Sequence, residues 1–192
     1  MKSILRGWRK FLVREGLEHY NVGGRLRLYH YSKADDDSLT LDPEYFLTNR
    51  SEYTRRDHTA SDLPRVFFYA NLDHAENIIK QGRTLYTTFV DASKVYDINK
   101  DSKSLSKNAR RWPVNMHGEP MKDRGGAMDY DLLLRSVAGK PGKGMELVSE
   151  EHHPGAYYTT GQMDVVVWFE PIEVHKFNPE NVDSPTDSAE GE

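Results

Sequence analysis

Tyr29, His30, Tyr31 and Ser32 close the strand-like part of GGRLRLYHYSKADDDSLTLDP, residues 23 to 43. An imidazole between two phenols, followed by a hydroxyl, can hydrogen-bond sugar hydroxyls or amides, stack on a planar ring and move a proton. The same four residues can also simply pack at a strand end, so the rest of the chain must decide between architecture and chemistry. Other groupings point less far. GKPGKG (139 to 144) has the glycines and lysine of a phosphate loop but no Ser or Thr after the lysine, and no strong strand precedes it. It reads as a glycine-rich turn. EEHHPG (150 to 155) sets Glu150 and Glu151 beside His152 and His153, without the spacing of a helical metal site, and reads as solvated loop. RSEYTRR (50 to 56) mixes bases with an aromatic, as nucleic-acid surfaces do, but it is a single patch. No serine has a nucleophile-elbow context. The absence of cysteine excludes a disulfide framework, a thiolate zinc site and a cysteine nucleophile, and fits a reducing compartment.

A chain of 192 residues is long enough for one full domain with its own core. The net charge of −4 is uneven: Glu180, Asp183, Asp187, Glu190 and Glu192 lie in a tail with no base. The remaining body is near neutral, so charge alone argues for neither nucleic acid nor an anionic membrane. No apolar run approaches membrane-spanning length, and the N-terminus lacks the apolar stretch of a signal peptide. The expectation is a soluble protein with no membrane partner.

Several elements must position these residues. Residues 2 to 19 repeat Ile4, Leu5, Trp8, Phe11 and Leu12 at helical spacing, with Lys2, Arg6, Arg9, Lys10 and Arg14 elsewhere. This predicts a basic amphipathic helix, either docked on the domain or serving as a separable targeting or partner-binding segment. Residues 25 to 31 predict a strand whose alternation puts His30 on the face of Leu26 and Leu28. A long polar loop follows, up to Pro64. RVFFYAN (65 to 71) predicts a strand, and DHAENIIKQG (73 to 82) a short helix with Asp73 as N-cap. TLYTTFVDA is a further strand, and SKVYDINKDS either continues the sheet or turns away. Residues 100 to 128 read as a polar excursion, 128 to 139 as a helix ending at Gly139, the stretch from Lys140 to Gln162 as loop-rich, and 163 to 174 as the strongest strand.

The order of strand with Tyr-His, long loop, aromatic strand followed at once by a helix, further strand and a late GAYY…GQMDVVVWFEP resembles the ADP-ribosyltransferase fold. It is most similar to the small phage and mobile-element members of the diphtheria-toxin-like branch. The resemblance spans roughly residues 24 to 175. It implies an α+β domain with a split antiparallel or mixed sheet and short helices over residues 24 to 177, preceded by an amphipathic N-terminal helix (1 to 20) and followed by a disordered acidic tail (178 to 192). In that branch a histidine lies on the first strand, a tyrosine on or after the second, and a glutamate, glutamine or aspartate at the last core strand. Carried over, these positions fall on His30, on Tyr69 with Tyr86 as the alternative, and on Gln162 or Asp164. No glutamate stands at the third position. Tyr31, Ser32 and Arg55 join the expected NAD-binding set, and Arg50, Arg55 and Arg56 are candidates for contacting the NAD pyrophosphate or an acidic acceptor.

The chemistry so implied uses NAD as substrate and needs no metal. Cleaving the nicotinamide–ribose bond passes through an oxocarbenium-like transition state, as glycoside cleavage does. A histidine would hold a ribose hydroxyl or the nicotinamide amide, a tyrosine would stack on the nicotinamide, and the third residue would hold the ribose 2′-hydroxyl. A carboxylate there also stabilises the developing charge, which a glutamine does not, so Gln162 would need Asp164 or Glu150 to compensate. ADP-ribose would go to a protein or nucleic-acid acceptor. The missing glutamate favours the rival reading, a catalytically inactive virion or protein-binding module on the same fold. The N-terminal helix resembles leader segments of tailed-phage proteins, which implies a phage or host partner and a location in the bacterial cytoplasm or the virion. A nucleic-acid-binding protein is a third reading, resting on the basic patches alone.

Overall fold

The computed structural model describes residues 16–48, 63–73, 83–107, 109–111, 127–128, 130–140, 152–160 and 163–178. A single 3-10 turn, Leu17–Tyr20, leads into β1 (Asn21–Val22) and β2 (Arg25–Ser32). β3 (Ser38–Leu41) and α1 (Pro43–Thr48) follow, then β4 (Val66–Tyr69), β5 (Thr84–Asp91) and β6 (Val95–Asp97). β7 (Arg110–Arg111) and β8 (Ala127–Met128) form a separate two-stranded ribbon. The described chain closes with α2 (Tyr130–Ala138), β9 (Gly155–Thr160), β10 (Met163–Trp168) and β11 (Ile172–Lys176). The result is an α+β fold built on one large sheet. Its order is β3-β11-β5-β2-β4-β10-β9-β6, with β1 beside β2. Every pairing in it is antiparallel except β6 with β9.

Strand alternation sorts the side chains onto two faces. On the first face Leu26, Leu28, Val66, Phe68, Tyr86, Val90, Val166 and Trp168 form one core, joined by Leu17 from the 3-10 turn. On the second, Ala156, Val165 and Val167 meet Leu133, Leu134, Val137 and Ala138 of α2. Each such side chain, fully buried, contributes about 1.5–3 kcal/mol. α2 stops at Gly139, whose φ of 62° is the left-handed conformation that glycine adopts without strain. The rest of the second face, over β4, β2 and β5, leaves Phe67 and Phe89 at 42% and 39% exposure. There the Arg27 guanidinium lies 5.2–5.9 Å from the ring centres of Tyr29, Phe89 and Phe177.

Several sequence expectations are corrected. The single strand expected over 163 to 174 is two, because Pro171 has no N–H for a ladder and the chain turns at Glu170. GAYYTT, placed within a loop-rich stretch, is β9. Its Tyr157 lies buried at the centre of the sheet. The polar stretch after Ser32 contains β3 and α1. The segment after β5 makes a short 3-10 turn, Ala92–Lys94, and β6 then rejoins the sheet at its far edge. Asn71 Oδ1 accepts the Asp73 amide at 2.8 Å, so Asn71 rather than Asp73 takes the capping role. Residues 1 to 15 of the expected N-terminal helix, RSEYTRR, the helix body over 74 to 82, most of the excursion over 100 to 128, residues 141 to 144 of GKPGKG and the acidic tail from 179 onward lie outside the described residues. Among the described residues no helix is long and apolar enough to cross a membrane.

Candidate functional site at the seam between β2 and β4

β2 and β5 are registered along their whole length, from Arg25 opposite Asp91 to Ser32 opposite Thr84. β10 and β4 are registered over all four residues of β4. Between these halves the bond is thin: β2 and β4 share the single pair Tyr29 and Tyr69. The sheet is therefore seamed at its middle, one residue before His30.

His30 spans that seam. Its Nδ1 lies 2.8 Å from the Phe67 carbonyl oxygen of β4. A carbonyl can only accept, so Nδ1 carries a proton, and when the ring is neutral Nε2 is its acceptor nitrogen. Burial lowers the pKa of the imidazole, against the Phe67 bond that raises it, and the Arg83 charge lowers it further. The side chain is 8% exposed, and its ring centre lies 5.6 Å from that of Phe68.

The aromatic candidates divide between the two faces. Tyr69 stands directly opposite Tyr29 and so faces away from His30. Tyr86 stands opposite His30 and shares its face, fully buried, with its hydroxyl donating to the Ala34 and Asp36 carbonyls at 3.1 and 2.9 Å. Burial raises its pKa, and the Asp36 and Asp35 charges add to this. Tyr31 is half-buried opposite Leu85 on the Tyr29 face. Ser32, back on the His30 face, accepts the Ala34 amide through Oγ at 3.2 Å and shapes the turn out of β2. Phe68 is the aromatic neighbour that sequence reasoning missed. Its signal was present in VFFY, since only Val66 and Phe68 share a face, but assigning that face to His30 requires the β2–β4 register.

Asp164 lies on the His30 face as well, because Val166, its neighbour two residues on, pairs with Phe68. Its carboxylate accepts from three hydroxyls. Oδ1 accepts from the Tyr157 hydroxyl at 2.8 Å and from Thr159 Oγ1 at 3.1 Å. Oδ2 accepts from the Tyr20 hydroxyl at 2.7 Å. Burial drives the Tyr157 pKa well above its ordinary value, with the Asp164 bond adding to this. Tyr20 and Tyr157 carried no signal in the sequence, because residue 20 lies 144 positions from its partner. Gln162, Arg55, Arg50, Arg56 and Glu150 lie outside the described residues.

The two histidines of EEHHPG have structural neighbours. His152 Nδ1 lies 2.7 Å from the Ala138 carbonyl at the end of α2, and Nε2 lies 2.8 Å from Glu170 Oε1. Both partners are acceptors, so the arrangement suits an imidazolium, and the Glu170 bond raises its pKa, helped by the Ala138 carbonyl. The His153 ring packs 5.3 Å from Tyr96. Among the described residues no group of three or more His, Asp or Glu is arranged to hold a metal ion.

The fold and seam thus define an α+β protein with a buried histidine at a break in its central sheet. Comparison with known proteins gives no matching family model, no matching curated protein and no matching solved structure.

Proposed function

We propose that this chain is an ADP-ribosyltransferase-like protein that binds NAD at the seam and transfers ADP-ribose to an acceptor. The observation that carries this reading is His30 at the break between β2 and β4, where burial lowers its pKa and the Phe67 carbonyl takes the Nδ1 proton's hydrogen bond, so that in the neutral ring Nε2 is the acceptor. A neutral acceptor of this kind suits a ribose hydroxyl, which donates. The order of strands also supports it. The strand of His30 lies between the strands of the aromatic candidates, and the strand of Asp164 follows next to β4. In the reaction the C1′–nicotinamide bond breaks with its electron pair leaving on nicotinamide, and the acceptor bonds to C1′ and gives up a proton.

A second reading, a non-catalytic binding or structural module of the kind expected in a phage particle, is favoured by Asp164. Its carboxylate is engaged by three hydroxyls, and one charge-stabilising group is thereby committed to architecture.

Isothermal titration with NAD separates the readings. The wild type should bind saturably. His30→Ala should not, nor should His30→Asn, which keeps a donor near Phe67 and lacks Nε2. His152→Ala should bind like the wild type. No heat at millimolar NAD sinks the NAD reading. Binding without nicotinamide release in the presence of protein or nucleic-acid acceptors selects the second.

A further inference from the structure

Resting on the NAD reading above, we propose that Lys33 and Arg83 form an anion site at the mouth of the seam, which takes the pyrophosphate of NAD. β2 and β4 pair only at Tyr29 and Tyr69, although β2 runs on to Ser32 and β4 begins back at Val66. The seam therefore opens toward the Ser32 end of β2. The β2–β5 ladder stops at the same end, with Ser32 opposite Thr84. Continuing that register by one residue sets Lys33 across from Arg83, and both are exposed.

Stability does not ask for this arrangement, because like charges facing each other across a ladder are unfavourable. Among the described residues neither the Lys33 nor the Arg83 side chain forms a hydrogen bond or an ion pair. Asp35 is committed elsewhere: its Oδ1 accepts from Lys176 Nζ at 2.6 Å and from Thr84 Oγ1 at 3.0 Å. Asp36 and Asp37 use their backbone carbonyls, for the Tyr86 hydroxyl and the Lys176 amide. The pair suits a pyrophosphate. A guanidinium offers a planar fork to two phosphate oxygens, and an ammonium a mobile point charge. Between them and His30, Ser32 Oγ accepts the Ala34 amide at 3.2 Å and keeps its own proton to donate. Three residues of extended chain, about 10 Å, separate His30 from Lys33. A ribose held at His30 and a pyrophosphate gripped by two long side chains fill that span. Arg83 is near enough for its charge to lower the His30 pKa, which ties this end of the ladder to the buried imidazole.

The test is calorimetric titration of the full chain with NAD, with inorganic pyrophosphate, and with nicotinamide riboside, which has the ribose and no phosphate. The variants are Lys33→Gln, Arg83→Gln and the double variant. Lys107→Gln, an exposed cation in the 3-10 turn Leu105–Lys107, controls for net charge. Each single variant should bind NAD about tenfold more weakly, the scale of one hydrogen bond to a charged group. The double variant should also lose less affinity as salt is raised. Nicotinamide riboside should bind all of them alike, and no melting temperature should fall, since a like-charge contact is removed. Equal NAD affinity in wild type and double variant, with binding still lost in His30→Asn, overturns the anion site and leaves the NAD reading standing. An equal loss in Lys107→Gln does the same. Pyrophosphate bound by the wild type and lost in the double variant, with no NAD binding, overturns the NAD reading and keeps the anion site for another diphosphate. No binding of either probe overturns both.

Discussion

Replacing Asp164 by Ala removes one acceptor from three hydroxyls at once, and the cost can be worked from their burial. Tyr157 is fully buried, so its hydroxyl loses its Asp164 partner in a site where water cannot easily replace it, at about 2 kcal/mol. Tyr20 and Thr159 are half-buried and can rehydrate, at about 0.5 kcal/mol each. The expected loss is about 3 kcal/mol, a large part of the 5–15 kcal/mol that typically holds a domain together. Asp164→Asn keeps one carbonyl acceptor but loses the charge and turns the other oxygen into an NH2 donor, so about half that loss is expected. Urea denaturation followed by fluorescence is the assay. Trp168 is buried on the same strand as Asp164 and reports on this core, with circular dichroism as the second probe. Tyr157→Phe in the Asp164→Ala background should recover stability, because the group left without its acceptor is gone. A loss below about 1 kcal/mol for Asp164→Ala at unchanged denaturant slope would refute the reasoning.

Three further outcomes follow from the same geometry. His30 has a pKa below its ordinary 6.5 because it is buried, so the unfolded chain takes up the proton first. Stability should fall as pH drops below about 6.5, and His30→Asn should flatten that limb in melts across pH 5–8. His152 has the opposite sign: its pKa is raised by Glu170, so its contribution is complete below about 6.5 and is lost as pH climbs through the folded value. The pair is half-exposed, so its loss in Glu170→Gln should be worth about 0.5 kcal/mol at pH 5.5 and nearly nothing at pH 9. In Gly155→Ala the new methyl would sit 2.7 and 2.9 Å from the Trp168 ring and 3.3 Å from Val95. Overpacking of this kind costs about 1–3 kcal/mol and should lower the melting temperature with a shift in Trp168 emission.

Alternation made much of the sheet legible. RLRLYHYS placed His30 with the two leucines, and the structure keeps them on one face. The helix ending at Gly139 and the strand beginning at Met163 were readable for similar local reasons. What could not be read depends on pairing. β9 looks like loop because glycine, threonines and tyrosines carry no continuous apolar run, and only its place between β10 and β6 buries Ala156 and Tyr157. The Asp164 hub joins residues 20, 157, 159 and 164, a set no local pattern brings together.

Register is also what decides which chemistry the seam can perform. Tyr29 opposite Tyr69 is the one registered pair between the two halves of the sheet, and a shift of one residue there would exchange the faces of all of β4. Tyr69 would then stand beside His30, and Phe68 would point to the side of Phe89. Two contacts hold the observed register on the His30 side, the Nδ1 bond to the Phe67 carbonyl and the packing of His30 on Phe68, while on the other edge of β4 the Ala70 amide donates to the Asp164 carbonyl of β10 at 3.0 Å. His30 is thus placed to serve twice, since the nitrogen that closes the seam fixes the tautomer that leaves the other nitrogen an acceptor. This double use explains why His30→Asn is the more informative substitution than His30→Ala. It spares the architectural half of the side chain and removes only the half that the proposed NAD site needs.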